Sequence, residues 1–331
     1  MIERERWNRC RIVEGDARGH YESYFQRANH PKRPLAFWIR YTVFSPKGRS
    51  GDAVGELWAI YFDGERECVT AVKEVVPMRD CRFGERGLDV RIGDASLTDG
   101  QLQGSASSGG NALQWDLRYT GDEPPLLLLP ESFYERSFPK AKALVGTPNA
   151  VFDGAVSVNG AAADVRGWVG SQNHNWGSKH TDSYAWGQVA GFDGAPRAFL
   201  ECSTARLKLG PFWTPPMTVV VLRLEDEEIR LNSLAQAFRA HGDFDFVSWR
   251  FETHTDAVRL RATMHAPKSL FVGLTYNNPP GGSKTCLNTK LAACELTVER
   301  TGQAPRTLTT SHRAAFEILT DRQDHGVPIA A

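Results

Sequence analysis

The most constraining feature of this sequence is a series of short apolar stretches separated by turn-forming residues along the whole chain. The 331 residues include 30 glycines and 18 prolines, which interrupt the apolar runs repeatedly. This rhythm is typical of many short strands rather than of long helices. Between positions 113 and 119, apolar and polar residues alternate strictly, and that period of two predicts a strand with one buried face. Its apolar members are Leu113, Trp115, Leu117 and Tyr119.

Turn signals and one long, mostly apolar stretch refine this pattern. The dipeptides Asp63-Gly64, Asn159-Gly160 and Asp193-Gly194 each follow an apolar run and predict tight hairpin turns. The stretch Leu35–Phe44 (LAFWIRYTVF) carries aromatic and β-branched residues on both faces, which favours a central strand. Many strands with few short helices imply sandwiches or barrels. We therefore expect an all-β fold.

A proline-rich, irregular segment divides the strand-rich chain into two parts. It covers residues 121–148, and we place a domain boundary near Gly160. The expected domains are residues 1–160, which include this connecting region, and residues 161–331.

The composition excludes several classes of protein. Lys plus Arg equals Asp plus Glu at 39 each, so the basic excess of a nucleic-acid-binding protein is missing. No apolar run approaches the roughly 18 residues of a membrane span, and the charged N-terminal stretch lacks the apolar segment of a signal peptide. We therefore expect a cytoplasmic protein. Peripheral membrane contact stays open, and the sequence does not indicate an oligomeric state.

The densest group of polar and aromatic residues lies between positions 166 and 192. Read as two strands joined by the loop 177–182, it places one mixed face on each strand. These candidate ligand-binding residues are Trp168, Gln172 and Trp176 with His174 on the first strand, and Tyr184, Trp186 and Gln188 on the second. Buried polar groups need partners. Such a face is therefore either an internal hydrogen-bond network or the wall of a pocket for an apolar small molecule.

Other catalytic signatures are missing from the sequence. It has no GxGxxG motif, no P-loop, no GxSxG elbow and no HExxH motif. His174 and His180 are six positions apart, which fits no standard helical ligand pair. We expect no metal and no cofactor, which leaves acid–base chemistry carried out by side chains in a shaped cavity.

Two short segments carry a resemblance to a known superfamily. They are Gln172–Gly177 (QNHNWG) and Tyr184–Gly187 (YAWG). With these elements, the sequence resembles the superfamily of carotenoid hydratases (hydroxyneurosporene synthases), tocopherol cyclases and some lipocalin-like Diels–Alderases. The resemblance implies two lipocalin-like (calycin-type) antiparallel β-barrel domains packed together, with the H-x-W-G element in the second domain. It also implies an apolar ligand held between or inside the barrels.

The resemblance further implies roles for individual residues. In the hydratase branch, the His and Trp of H-x-W act with a downstream Tyr and Asp, and His174 and Trp176 match the first pair. The following strand, 197–203, has no Tyr-x-Asp, so Glu201 is the acid that could replace the Asp.

Three functional hypotheses follow. In the first, Glu201, Asp182 or protonated His174 protonates a double bond of an isoprenoid or polyene, and Trp176 or Trp186 stabilises the carbocation. Hydration or cyclisation then completes a redox-neutral reaction. The second hypothesis is a non-catalytic protein that binds a lipid or another hydrophobic small molecule. The third is a Diels–Alderase-type cyclase whose cavity folds a polyene and needs no proton donor.

Overall fold

The computed structural model describes residues 3–13 and 15–331, and almost all of its regular structure is antiparallel sheet. In this part of the chain the α-helices are short, namely α1 (Glu3–Asn8) and α2 (Leu234–Arg239). The all-β prediction is confirmed, as is the prediction of two large β units. No helix in the described ranges combines the length and the apolar character needed to cross a bilayer.

The first sheet has 12 strands and forms a nearly closed barrel. Its strands are β1 (His20–Asn29), β2 (Leu35–Ser45), β3 (Val54–Asp63), β4 (Cys68–Pro77), β5 (Cys81–Phe83), β6 (Asp89–Ile92), β7 (Ala95–Thr98), β8 (Gln101–Ser108), β9 (Asn111–Thr120), β10 (Leu126–Leu127), β11 (Ala141–Val158) and β12 (Ala161–Gly177). Their order is β4-β3-β2-β1-β12-β11-β9-β8-β7-β6-β5, and β10 pairs with β11. Across the gap, the Lys73 amide on β4 donates to the Ser108 hydroxyl on β8 at 3.0 Å.

The second sheet has 10 strands and a similar antiparallel pattern. Its strands are β13 (Ser183–Phe192), β14 (Ala195–Arg206), β17 (Met217–Leu224), β18 (Glu227–Leu231), β19 (His241–Phe244), β20 (Ser248–His254), β21 (Val258–His265), β22 (Val272–Asn277), β23 (Ser283–Arg300) and β24 (Arg306–Thr320). Their order is β18-β17-β14-β13-β24-β23-β21-β20-β19, and β22 pairs with β23. A separate small hairpin consists of β15 (Lys208–Leu209) and β16 (Phe212–Trp213).

Strand β2 packs on both of its faces, with one face in the barrel core and the other toward the second sheet. Its odd-numbered side chains, such as Phe37 and Tyr41, lie in the barrel core. There Trp115 donates its indole N–H to the Tyr41 hydroxyl at 2.9 Å. The even-numbered Trp38 lies in a third cluster with Trp186 of the second sheet. Both faces of β2 are therefore buried, as the stretch LAFWIRYTVF predicted, and each fully buried large apolar side chain contributes roughly 1.5–3 kcal/mol.

The local predictions agree with the structure, with two corrections. All three dipeptides lie at hairpin turns, and the apolar residues between 113 and 119 face the barrel core while their neighbours are exposed. The Asn159-Gly160 turn, however, joins β11 to β12 inside the first sheet, and the change of sheet comes between Gly177 and Ser183. The H-x-W-G element therefore lies on the last strand of the first sheet.

Gly177 ends that strand for a steric reason. A Cβ atom on Gly177 would lie 2.2 Å from the carbonyl oxygen of Lys140 on the neighbouring chain segment. No side chain fits at this distance from backbone. The glycine of H-x-W-G therefore permits close pairing of β12 with the start of β11.

Candidate functional site

A cavity of about 220 Å³ lies between the two sheets. One end of its lining is apolar and reaches the surface, since Phe138 is 52% exposed and Leu234 is 41% exposed. We call this end the mouth; Leu128, Leu129 and Phe133 complete it. The other end, which we call the floor, is deeply buried and polar. It is lined by Tyr21, Arg40, His180, Tyr184, Glu201, Tyr276 and Glu317.

Strands β12 and β13 contribute to this cavity from opposite sides. We expected two strands joined by a loop, with one mixed face on each; the loop is present, but the two strands belong to different sheets. They meet across the space between the sheets, where the Ser171 hydroxyl donates to Gln188 Oε1 at 2.6 Å. Gln188 Nε2 in turn donates to Asn173 Oδ1 at 2.8 Å. The odd-numbered face of β12 therefore meets the second sheet, and the predicted even-numbered face points the other way.

His174 is fully buried on that even-numbered face. Its Nε2 lies 2.8 Å from Glu22 Oε1, its Nδ1 lies 2.9 Å from the Trp7 carbonyl oxygen, and its ring stacks on Tyr24. Burial lowers the pKa of His174, and the hydrogen bond to Glu22 opposes this shift. These contacts attach the N-terminal segment to the barrel, and His174 is also one of the residues that line the cavity.

Glu22 is the acidic partner in this arrangement. Burial alone would raise the pKa of Glu22, but hydrogen bonds with His174 and His20 outweigh it and hold that pKa well below its usual range. The backbone amide of Arg11 also donates to Glu22 Oε2 at 2.8 Å. Glu22 is thus an ionised, fully partnered carboxylate.

The other candidates on β12, unlike His174, do not line the cavity. Trp168 is part of the barrel core. Gln172 accepts a hydrogen bond from the Asn8 side chain at 2.8 Å. The Arg11 guanidinium lies over the ring of Trp176, 3.7 Å from its centroid. These three residues hold the core and the N-terminal segment, and the structure places none of them in the cavity lining.

On the second sheet, the predicted residues surround Glu201. Trp186 donates its indole N–H to Glu201 Oε1, and Gln188 donates its amide to Glu201 Oε2, both at 2.7 Å. Gln188 lies opposite Glu201 on the neighbouring strand. Its own Oε1 accepts from Arg27 Nε at 2.7 Å. Tyr184, Trp186 and Glu201 line the cavity directly, and Gln188 fixes the carboxyl group from behind.

Glu201 lines the cavity, and its carboxyl group gains or loses a proton near neutral pH. Burial raises the pKa of Glu201 to about 7, although the hydrogen bonds from Trp186 and Gln188 and the charge of Arg27 act in the opposite direction. A carboxyl group with such a pKa can both donate and recover a proton under physiological conditions.

Asp182 lies outside the cavity lining and has a different environment. It forms an ion pair with Lys179 at 2.5 Å, and it accepts from the Lys208 amide at 3.0 Å. Partial burial raises the pKa of Asp182, but these partners outweigh it and lower the pKa overall. Asp182 is therefore ionised and carries no proton for a ligand.

Sequence reasoning missed several residues of the floor, above all Arg40, Tyr21 and Tyr276. Arg40 is the single charge inside the otherwise apolar run LAFWIRYTVF. A charge in a strand that is buried on both faces requires a partner, and that requirement is a usable signal. Tyr21 and Tyr276 carried no such signal.

His180 also belongs to the floor. Its Nε2 donates to the Asn277 carbonyl oxygen at 3.1 Å, and its ring stacks on Tyr21. Burial and the neighbouring Arg40 charge lower the pKa of His180 to about 3. The ring is therefore neutral at physiological pH. Within the described residues, no group of three or more His, Cys, Asp or Glu side chains is arranged to hold a metal ion.

Comparison with known proteins places this geometry in a recognisable fold. No family model matches the chain. Two uncharacterised proteins of Mycobacterium tuberculosis, from strains CDC 1551 / Oshkosh and ATCC 25618 / H37Rv, are each 22% identical to it over 303 residues. The alignment covers 89% of this chain and 86% of each relative.

Solved structures resemble the chain over almost its whole length. A putative AttH from Nitrosomonas europaea superposes with a TM-score of 0.58 at 14% identity, covering 94% of this chain and 98% of that one. Kievitone hydratase from Nectria haematococca has a TM-score of 0.58 at 11% identity, with 92% and 90% covered. CghA, solved with Sch210972, has a TM-score of 0.53 at 10% identity, with 95% and 94% covered. The chain therefore shares the lipocalin-like fold of these proteins.

Proposed function

We propose that this protein is a cofactor-independent enzyme that adds a proton from Glu201 to a double bond of an apolar ligand, leading to hydration or cyclisation. The observation that carries this proposal is a protonatable carboxyl group in the wall of an apolar-mouthed cavity. Glu201 is 2% exposed and its pKa is raised to about 7. The shared fold with a hydratase supports the same class of reaction.

The chemistry balances without an added redox partner. The π electrons of the double bond form a new C–H bond with the Glu201 proton, which leaves a carbocation and a carboxylate. The oxygen of water, or of a hydroxyl on the ligand, then forms a C–O bond to the cation. Its proton returns to Glu201, so the enzyme is regenerated and the net change is hydration or ring closure.

Two groups can stabilise the positive charge. The Glu201 carboxylate forms as the cation forms, and the indole of Trp186 lies beside it. Attraction between a cation and an indole is worth about 2 kcal/mol when both are desolvated. Trp176, the other predicted stabiliser, is on the far side of β12 and takes no part in this step. An isoprenoid or polyene fits the apolar mouth formed by Leu128, Phe133 and Phe138.

The test follows deuterium from solvent into a named probe. Wild-type protein and Glu201→Gln are incubated in D₂O with farnesol and farnesoic acid, and the products are analysed by mass spectrometry. We expect deuterium on carbon with the wild type and at least a hundredfold less with the variant. Ser203→Ala, which changes another cavity-lining side chain on β14, should keep the wild-type rate. Equal deuterium uptake by Glu201→Gln would contradict the proposal.

A Diels–Alderase-type cyclase is the second candidate, favoured by the shared fold with CghA. In that case the cavity only folds a polyene, so cyclisation of a test polyene would survive Glu201→Gln. A protein that binds the probes tightly and never incorporates deuterium or closes a ring would instead be a hydrophobic ligand carrier.

A further inference from the structure

We propose that the cavity floor binds an anionic oxygen group of the ligand, such as a carboxylate, enolate or phenolate, with Arg40 as its counter-ion. This inference rests on the cavity of the proposed function and names its class of ligand as an apolar chain with an acidic oxygen head.

Arg40 is a buried cation that forms no direct ion pair with a carboxylate of the described residues. It is 4% exposed and lines the cavity. Its Nη2 donates to the Ser23 hydroxyl at 2.7 Å, whereas its Nε has no hydrogen-bond partner among the described residues. Within the same residues, no carboxylate lies within 4.0 Å of its guanidinium. A buried charge without a partner is strongly unfavourable, so such a group indicates a missing anion.

The carboxylates that face Arg40 are committed elsewhere. Glu56 forms an ion pair with Lys73 at 2.9 Å. Glu317 forms one with Lys290 at 2.8 Å. Against the effect of burial, both raise the pKa of Arg40 through their charge, but neither contacts its guanidinium.

The remaining side chains of the floor suit an oxygen anion. The Arg40 guanidinium lies 4.5 Å from the ring centroid of Tyr276, which holds it in place. The hydroxyls of Tyr21 and Tyr184 line the floor, and in the described part of the chain they make no hydrogen bond to protein. Tyrosine hydroxyls are good donors to an oxyanion. His180 is neutral and therefore adds no charge to the floor.

A second cation strengthens the field at this end of the cavity. Arg27 is fully buried, and its Nη2 has no hydrogen-bond partner among the described residues. Its Nε and Nη1 bind the neutral side chains Gln188 and Asn29, at 2.7 and 2.9 Å. The floor is therefore positive when Glu201 is protonated. A ligand would place its anionic head there and its apolar chain toward Phe138 at the mouth.

The test compares two probes that share one isoprenoid chain, geranic acid and geraniol, by isothermal titration calorimetry at pH 6, where Glu201 keeps its proton. We expect the wild type to bind geranic acid at least tenfold more tightly than geraniol. Arg40→Met should abolish this preference by weakening geranic acid and leaving geraniol unchanged. Lys142→Met, which removes another cavity-lining cation outside the floor, should keep the preference. A preference that survives Arg40→Met, or its absence in the wild type, would overturn the proposal.

A measurement on the wild type alone guards against a variant that does not fold. Geranic acid should raise the thermal midpoint of unfolding more than geraniol does at equal concentration, because only the acid neutralises the floor. Equal shifts, or no shift from either probe, would also overturn the proposal. Failure of the proposed reaction is distinguishable, since it would abolish deuterium uptake while the preference for the acid persists.

Discussion

Trp186 and Glu201 form a hydrogen bond of 2.7 Å between an indole N–H and a carboxyl oxygen, at the wall of a cavity between two β-sheets. The bond holds the carboxyl group in one orientation. Because the group is buried, it still retains its proton to about pH 7. Position and protonation state are thus set by the same buried environment.

The pH dependence of stability should report this proton directly. The pKa of Glu201 rises from 4.5 in the unfolded chain to about 7 in the folded one. Below pH 4.5 the group is protonated in both states. Between pH 4.5 and 7 only the folded state keeps the proton, and above pH 7 both states are ionised. Stability should therefore fall as pH rises from 4.5 through 7, by on the order of 3 kcal/mol.

Urea unfolding of the wild type and Glu201→Gln between pH 4.5 and 9 measures this effect. The variant should lack that part of the slope. Asp182→Asn is the matched control. Because the pKa of Asp182 is lowered in the folded protein, its contribution to stability is present above its unfolded pKa and is lost toward acid pH, which is the opposite dependence. Parallel curves for the wild type and Glu201→Gln would show that Glu201 is ionised in the folded protein.

His174 should matter for the attachment of the N-terminal segment rather than as an acid. His174→Ala removes its contacts with Glu22 and the Trp7 carbonyl group, and leaves a buried carboxylate short of one donor. We expect a loss of about 2–3 kcal/mol in urea unfolding and faster tryptic cleavage after Arg9 or Arg11. His265→Ala, at an exposed position on β21, should change neither. Unchanged stability together with abolished turnover would instead support a catalytic His174.

The glycine that ends β12 should not tolerate a methyl group. Gly177→Ala would push a Cβ atom to 2.2 Å from the Lys140 carbonyl oxygen, so the strand pairing must shift. We expect a loss of about 1–3 kcal/mol by thermal or urea unfolding. Gly51→Ala meets no atom within 4 Å and should be close to neutral. Equal stability of the two variants would show that β12 and the chain around Lys140 are not so tightly paired.

The cysteines should differ sharply in reactivity. Cys68 is exposed, whereas Cys202, Cys286 and Cys294 are buried. Burial raises the pKa of these three thiols. In native protein we expect a disulfide reagent such as DTNB to modify Cys68 first, and the buried three only after unfolding. Cys68→Ser should remove the fast phase, and a fast phase that persists would place another thiol at the surface.

The hairpin turns and the alternation along strands could be predicted from the sequence because each depends on residues that are close together in the chain. Turn dipeptides such as Asn159-Gly160 favour hairpins through their own backbone conformation. The alternation between Leu113 and Tyr119 reflects which side chains face the barrel core. Each pattern involves neighbouring residues only, and each prediction is confirmed.

The site was predicted only in part because its assembly is not local. A period of two shows that His174 and Trp176 share a face, but it does not show what that face meets. Strand β12 is buried on both sides over much of its length, and the polar face toward the second sheet contains Ser171 and Asn173. Glu201 and Trp186 meet because their strands pair, which the short spacing between them made foreseeable.

The alternation along β2 places the packing of the barrel core and the lining of the cavity on opposite faces of one strand. Trp38 and Arg40 face the second sheet and the cavity, while Phe37, Ile39 and Tyr41 lie in the barrel core. A substitution at Arg40 would therefore change the cavity while the barrel-core side chains of the same strand keep their places. Trp38 is different, because its buried ring packs between the two sheets and its loss would cost stability.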